Sequence, residues 1–173
     1  DELALMYPLD EQAPIVDDME IPAHLPANNR LFYGARLSNI AVVDQALLDG
    51  ADINFAHPNE GGQTALITAA HHGHFAMVQL LLQKPLIDVN LQDIWGNAAI
   101  LCAMERRYWP MVNSLLDAGA DPSICNNEGH SCLYWAAFFN QSQLVTRLLA
   151  DPRMTPAIVN RQVGARLATP LLI

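Results

Sequence analysis

Apolar residues along this chain fall into packets, each holding two clusters. From Gly62 the sequence reads GQTALITAAHHGHFAMVQLLL, from Gly96 GNAAILCAMERRYWPMVNSLL, and from Gly129 GHSCLYWAAFFNQSQLVTRLL. The first cluster of a packet carries small residues, Ala69–Ala70 or Ala136–Ala137, which let a neighbouring helix approach closely. The second has apolar residues at helical spacing, such as Met77, Val78, Leu81 and Leu82, so that one helix face is apolar. The pattern predicts two short helices per packet.

The packets are in register. Their opening glycines lie 34 and then 33 residues apart, and Leu66, Ile100 and Leu133 keep the same intervals, as do Ala69, Ala103 and Ala136. A period of this length marks a repeat array. Gly50-Ala51-Asp52 and Gly119-Ala120-Asp121 close two units, and glycine just past a helix suits a left-handed C-cap. Upstream, RLFYGARLSNIAVVDQALLDGADIN from Arg30 to Asn54 fits a first unit without its leading hairpin. No unit can bury its apolar face alone, so stacking is obligatory. With 51% hydrophobic and 16% charged residues, the chain has the apolar content for a core, which excludes a wholly disordered polymer.

Charge is unevenly distributed. Residues 1–29 hold seven acids and no Lys or Arg, whereas the remainder holds eleven acids against nine bases. An acidic arm on a nearly neutral body, with Lys84 and eight scattered arginines, is not the basic footprint that phosphate neutralisation needs, so no nucleic acid is expected as partner. No apolar run approaches the length that crosses a bilayer, so no membrane partner is expected. Cys102, Cys125 and Cys132 are odd in number and follow no CxxC spacing, which reads as a reduced, intracellular (cytoplasmic or nuclear) protein.

The units resemble the ankyrin repeat, whose template runs G-x-TPLH-x-AA-xx-GH, then VV-x-LLL, then GADVN. GQTALITAAHHGH, MVQLLL and IDVN carry the likeness, which covers roughly residues 30–173. It implies an all-α solenoid of helix-turn-helix units with short β-hairpin loops. The expected units are about 30–54, 55–90, 91–123 and 124–160, with a truncated fifth at 161–173. Thr169-Pro170-Leu171 matches the template's TPL, so the chain is expected to be a fragment of a longer protein. Residues 1–29 read as an acidic, proline-containing arm that serves as linker, cap or mask of the array.

Catalytic and metal chemistry find little support. His71, His72 and His74 in HHGH suggest a metal site at first, but adjacent helical histidines point apart and no acid or cysteine completes the set. His74 falls on the template's structural histidine. The cysteines have no neighbouring base or oxyanion site. No GxSxG, P-loop, GxGxxG or HExxH occurs. No catalysis, cofactor or metal is expected of these residues.

What the resemblance implies instead is recognition of a protein or peptide by a concave face on a monomeric array. Carried over by position, the hairpin tips supply Glu60, Ile94, Trp95, Asn127 and Glu128, with Gln63, Asn97 and His130 just beyond the glycines. The first helices supply Arg36 and Leu37, His71 and His72, Glu105 and Arg106, then Phe138 and Phe139. Trp95, Phe138 and Phe139 stand out, because large apolar residues at solvent-facing positions are informative. The alternative is a targeting module of a larger enzyme or a bacterial effector acting inside a host cell. SCLYWAAF and DVNLQD are similar to the ankyrin repeats of certain histone lysine methyltransferases, which hold methyl-lysine in an aromatic cage. Glu105 and Trp135 match cage positions and Trp95 lies near another, but Asn97 and Cys102 stand where that family has tryptophans. The third unit also departs from the template, with Ala98-Ala99 for its proline motif and Arg107-Tyr108 for its GH. The hairpin FAHPNEG before Gly62 is two residues longer than the next and is expected to protrude.

Overall fold

The computed structural model describes residues 21–160. The acidic residues 1–20 and the fifth unit expected at 161–173 lie outside the described residues. Helices come in antiparallel pairs: α1 (Ala27–Arg36) with α2 (Ile40–Leu48), α3 (Ala65–His71) with α4 (Phe75–Leu82), α5 (Ala99–Glu105) with α6 (Trp109–Asp117), and α7 (Cys132–Phe138) with α8 (Ser142–Leu149). A single turn, α9 (Pro156–Val159), follows. The first helices stack in a row, α1 on α3, α3 on α5 and α5 on α7. α1 begins at Ala27, inside the segment that charge alone assigns to the arm, and Leu25 and Ile21 pack against its Phe32 and Tyr33.

One continuous core runs through all four pairs, from Leu31 and Val43 through Leu66, Met77, Ile100 and Met111 to Leu133 and Leu148. The small residues act as the spacing suggested: Ala69, Ala70, Ala103 and Ala136 are fully buried where first helices meet. Thr64 and Ser131 cap α3 and α7, their hydroxyls accepting from Ile67 N at 3.3 Å and Tyr134 N at 3.2 Å. Ala98 leaves α5 without a side-chain cap. Pro110 sits in the first turn of α6, where no helical hydrogen bond is lost.

Each pair turns through a left-handed residue: Ser38, Gly73, Arg107 and Asn140 all have positive φ. The third unit therefore keeps the template's turn although it lacks the glycine. Tyr108, standing where the template has histidine, lays its ring over Gly73, and a Cβ there would meet Tyr108 Cζ at 2.7 Å.

The loops between units are short and turn back on themselves. Among the described residues they contain only two isolated antiparallel bridges, His57–Gln63 and Cys125–Ser131. Side chains take the amides that a strand partner would otherwise satisfy. Asp93 Oδ1 accepts from Trp95 N at 3.0 Å and Asn97 N at 2.8 Å. Asn126 Oδ1 accepts from Glu128 N at 3.1 Å and His130 N at 2.9 Å. The longer loop closes through a 3-10 turn at Pro58–Glu60.

An asparagine ladder joins the units on the opposite edge. Asn28, Asn54 and Asn90 each accept from the backbone N–H of the aspartate that closes a unit, Asp52, Asp88 and Asp121, at 2.8, 2.9 and 2.8 Å. Ser123 stands at the next rung. There Arg153 reaches back instead, donating to the carbonyls of Gly119 and Ala120 at 3.3 and 3.2 Å.

Candidate functional site

The tips and first helices of the third and fourth units enclose a cleft of about 460 Å³. Trp95, Asn97 and Glu105 line it from one side, and Asn126, Asn127, Glu128, His130 and Trp135 from the other. The two tips are fastened at its floor: Asn127 N donates to Trp95 O, and Asn127 Nδ2 to Ile94 O, both at 2.9 Å. Six of the positions carried over to the partner face, Trp95, Asn97, Glu105, Asn127, Glu128 and His130, thus meet in one cavity.

Trp95 is 52% exposed and rests over Gly61 of the preceding tip, a glycine at φ +65° whose Cβ would strike the indole. Ile94 projects beside it, its amide bonded to Gly61 O at 2.9 Å. Across the cleft, aromatic rings run along α7. His130 stacks on Tyr134 at 4.3 Å, Tyr134 on Phe138 at 6.0 Å, and Trp135 on Phe139 at 5.7 Å. Phe138 is 51% exposed and meets Trp135 edge-on at 5.9 Å. Phe139 turns the other way, half-buried, with the Trp109 ring at 5.9 Å and the Arg107 guanidinium over its own ring at 4.2 Å.

The remaining assigned residues lie further along the row. Glu60 pairs with Arg36 at 3.3 Å, joining the second tip to α1. Arg106 donates to His71 Nε2 at 2.9 Å. Burial, and then the Arg106 charge, hold the His71 pKa below the usual histidine range. His72 Nδ1 bonds Thr68 O at 2.9 Å, and His74 Nε2 bonds Arg36 O at 2.7 Å. Each histidine of HHGH therefore has a separate protein partner. Among the described residues no group of three or more His, Cys, Asp or Glu is placed to hold a metal ion. Burial pushes the Cys102 and Cys132 thiols up to about 12, so neither supplies a thiolate at neutral pH.

The aromatic row was missed in the sequence; the four-residue spacing of His130, Tyr134 and Phe138 is the signal that could have found it. Trp135, which also reads as a core residue beside Ala136, is half-buried and lines the cleft. His57 is the larger surprise. It is 3% exposed, under the long tip, against Phe32 at 4.6 Å and Tyr33 at 5.4 Å.

Stacked helix pairs of similar length, joined by tight tips that line one face, make this an α-helical solenoid. The family described as ankyrin repeats matches residues 31–124 in three copies, and the chain belongs to that family. It is similar to a putative ankyrin repeat protein of fowlpox virus, 30% identical over 126 residues, which cover 72% of this chain and 37% of that one. The human photoreceptor ankyrin repeat protein is 34% identical over 87 residues, 49% of this chain and 19% of that one. The ankyrin repeat and KH domain-containing protein mask-1 of Caenorhabditis elegans is 30% identical over 120 residues, 69% of this chain and 4% of that one. The chain spans well under half the length of these relatives. Repeats of this family generally mediate protein–protein interaction, typically without catalysis of their own. No described helix is long and apolar enough to cross a membrane.

Proposed function

We propose that this chain is a binding module that takes a partner protein or peptide along the face formed by its tips and first helices, centred on the junction of the third and fourth units. The observation that carries this reading is the aromatic surface there. Two half-exposed rings, Trp95 and Phe138, flank Trp135 at the edge of a formed cleft. Exposed aromatic side chains that cluster beside a cleft are the usual anchors of an interface, with charged residues around them. Glu105, Arg106 and Glu128 supply that rim.

The test is affinity capture from lysate with the intact chain, a Trp95→Ala, Phe138→Ala double variant, and a Leu48→Ser, Leu86→Ser variant that removes exposed apolar side chains elsewhere. A partner retained by the intact chain and the leucine variant, but lost by the aromatic variant at unchanged helicity, is the expected result. Equal capture by all three would remove this face from consideration.

A further inference from the structure

Resting on that reading, we propose that the cleft between the third and fourth units receives an arginine side chain of the partner. Its lining carries two carboxylates, Glu105 and Glu128, and no lysine or arginine. Behind it lies a third acid, the buried Asp93. The guanidinium next to Glu105 in sequence, that of Arg106, is turned to His71. Glu105 makes no hydrogen bond or ion pair among the described residues, and Glu128 has only His130 Nδ1 at 3.2 Å. The field in the cleft is therefore negative, and one carboxylate is unmatched.

The shape of the charge it would match follows from the other walls. Trp95 and Trp135 belong to different units and both line the cleft, and indole is the ring that attracts a cation most strongly. The remaining walls are the amides of Asn97, Asn126 and Asn127, the His130 imidazole beside Glu128, and the two carboxylates. A fully methylated ammonium has no N–H to give them and needs more aromatic surface than two rings. Cys102, at one of the expected cage positions, is buried and outside the cleft, and Asn97 puts an amide at another. A lysine ammonium is a compact, strongly hydrated charge that reaches one carboxylate well. Guanidinium is planar and weakly hydrated, stacks on aromatic rings, and has five N–H donors for acceptors on both sides. The same aromatic row already holds one such group, Arg107 over Phe139 at 4.2 Å.

Four capped tripeptides test this on the full chain: Gly-X-Gly with X as arginine, citrulline, lysine or trimethyl-lysine. The readout is the indole N–H signals of the three tryptophans in nitrogen-15 correlation spectra. The arginine peptide is expected to shift Trp95 and Trp135 saturably in the millimolar range and to leave Trp109 unmoved. Citrulline, the same shape without the charge, is expected to bind about tenfold more weakly, a loss of about 1.4 kcal/mol. The Glu105→Gln, Glu128→Gln variant is expected to lose a similar factor for arginine while keeping its spectrum. The inference is overturned if citrulline matches arginine, if lysine or trimethyl-lysine binds more tightly, or if no peptide produces a saturable shift at Trp95 and Trp135. Partner capture that still depends on Trp95 and Phe138 would then preserve the broader proposal, so the two can fail separately.

Discussion

Replacing His57 with leucine is expected to make the protein more stable and less sensitive to acid. Neutral imidazole has one N–H donor and one lone-pair acceptor whichever tautomer it adopts. Both ring nitrogens are buried without a hydrogen-bond partner among the described residues. Leaving such a group unsatisfied costs about 1–3 kcal/mol. Against this, the ring contacts with Phe32, Tyr33 and Phe55 are worth at least about 0.5 kcal/mol each, or about 1.5 kcal/mol together, part of which leucine recovers by packing against the same rings. The backbone bonds of residue 57, to Gln63 O and from Glu60 N and Gly62 N, survive the substitution. The balance favours His57→Leu by about 1 kcal/mol, or about 3 °C in Tm for a chain of this size. The pH dependence supplies a second readout. Burial holds the His57 pKa below its ordinary value, with the Glu60 charge opposing in part. Below about pH 6.5 the unfolded chain takes up a proton that the folded chain refuses, so stability falls as pH drops from 7 towards 5 and is flat in this group above 7. The substitution removes that contribution and leaves that of His71, which has the same sign. Urea denaturation of both proteins at pH 7.5, 6.5 and 5.5 measures this. A variant less stable by more than 1 kcal/mol, with an unchanged slope against pH, would refute the reasoning.

Two further substitutions test the local structure. Ser131→Ala removes the cap of α7 and is expected to lower stability by about 1 kcal/mol in the same denaturation assay; no change would mean that the 3.2 Å bond from Tyr134 N contributes nothing net. Gly73→Ala forces a side chain onto a residue at φ +75° and into the Tyr108 ring, and is expected to cost more than about 1 kcal/mol, whereas Ala76→Gly, at an exposed position on α4, is expected to cost only about 0.5–1 kcal/mol.

The repeat register of Gly62, Gly96 and Gly129 was enough to place the helix pairs, because stacking leaves one arrangement for small first helices and apolar second ones. The site was only partly legible. Position along a unit says that Trp95, Glu105 and Glu128 share a face, but their meeting around one cavity depends on how two units are rotated against each other, which no spacing records. Phe139 shows the limit most clearly. It follows Phe138 directly, yet it occupies the C-cap of α7, where the chain begins its turn through Asn140, and the ring swings to Trp109 and Arg107. His57 was hidden because a loop that looks longer in sequence gave no sign that its extra residues would fold back over an imidazole.

The asparagine ladder bears on the cleft in a way that contact geometry alone does not express. Its rungs at Asn28, Asn54 and Asn90 tie successive units alike, but the rung between the third and fourth units is replaced at Ser123 by the reach of Arg153. Trp95 stands on one side of the cleft and Trp135 on the other, so its aperture is set by the angle between the third and fourth units. A guest that grips both walls fastens those units to each other. Its binding free energy is then shared with the joint itself, and occupancy of the cleft is felt as cohesion of the C-terminal half of the stack.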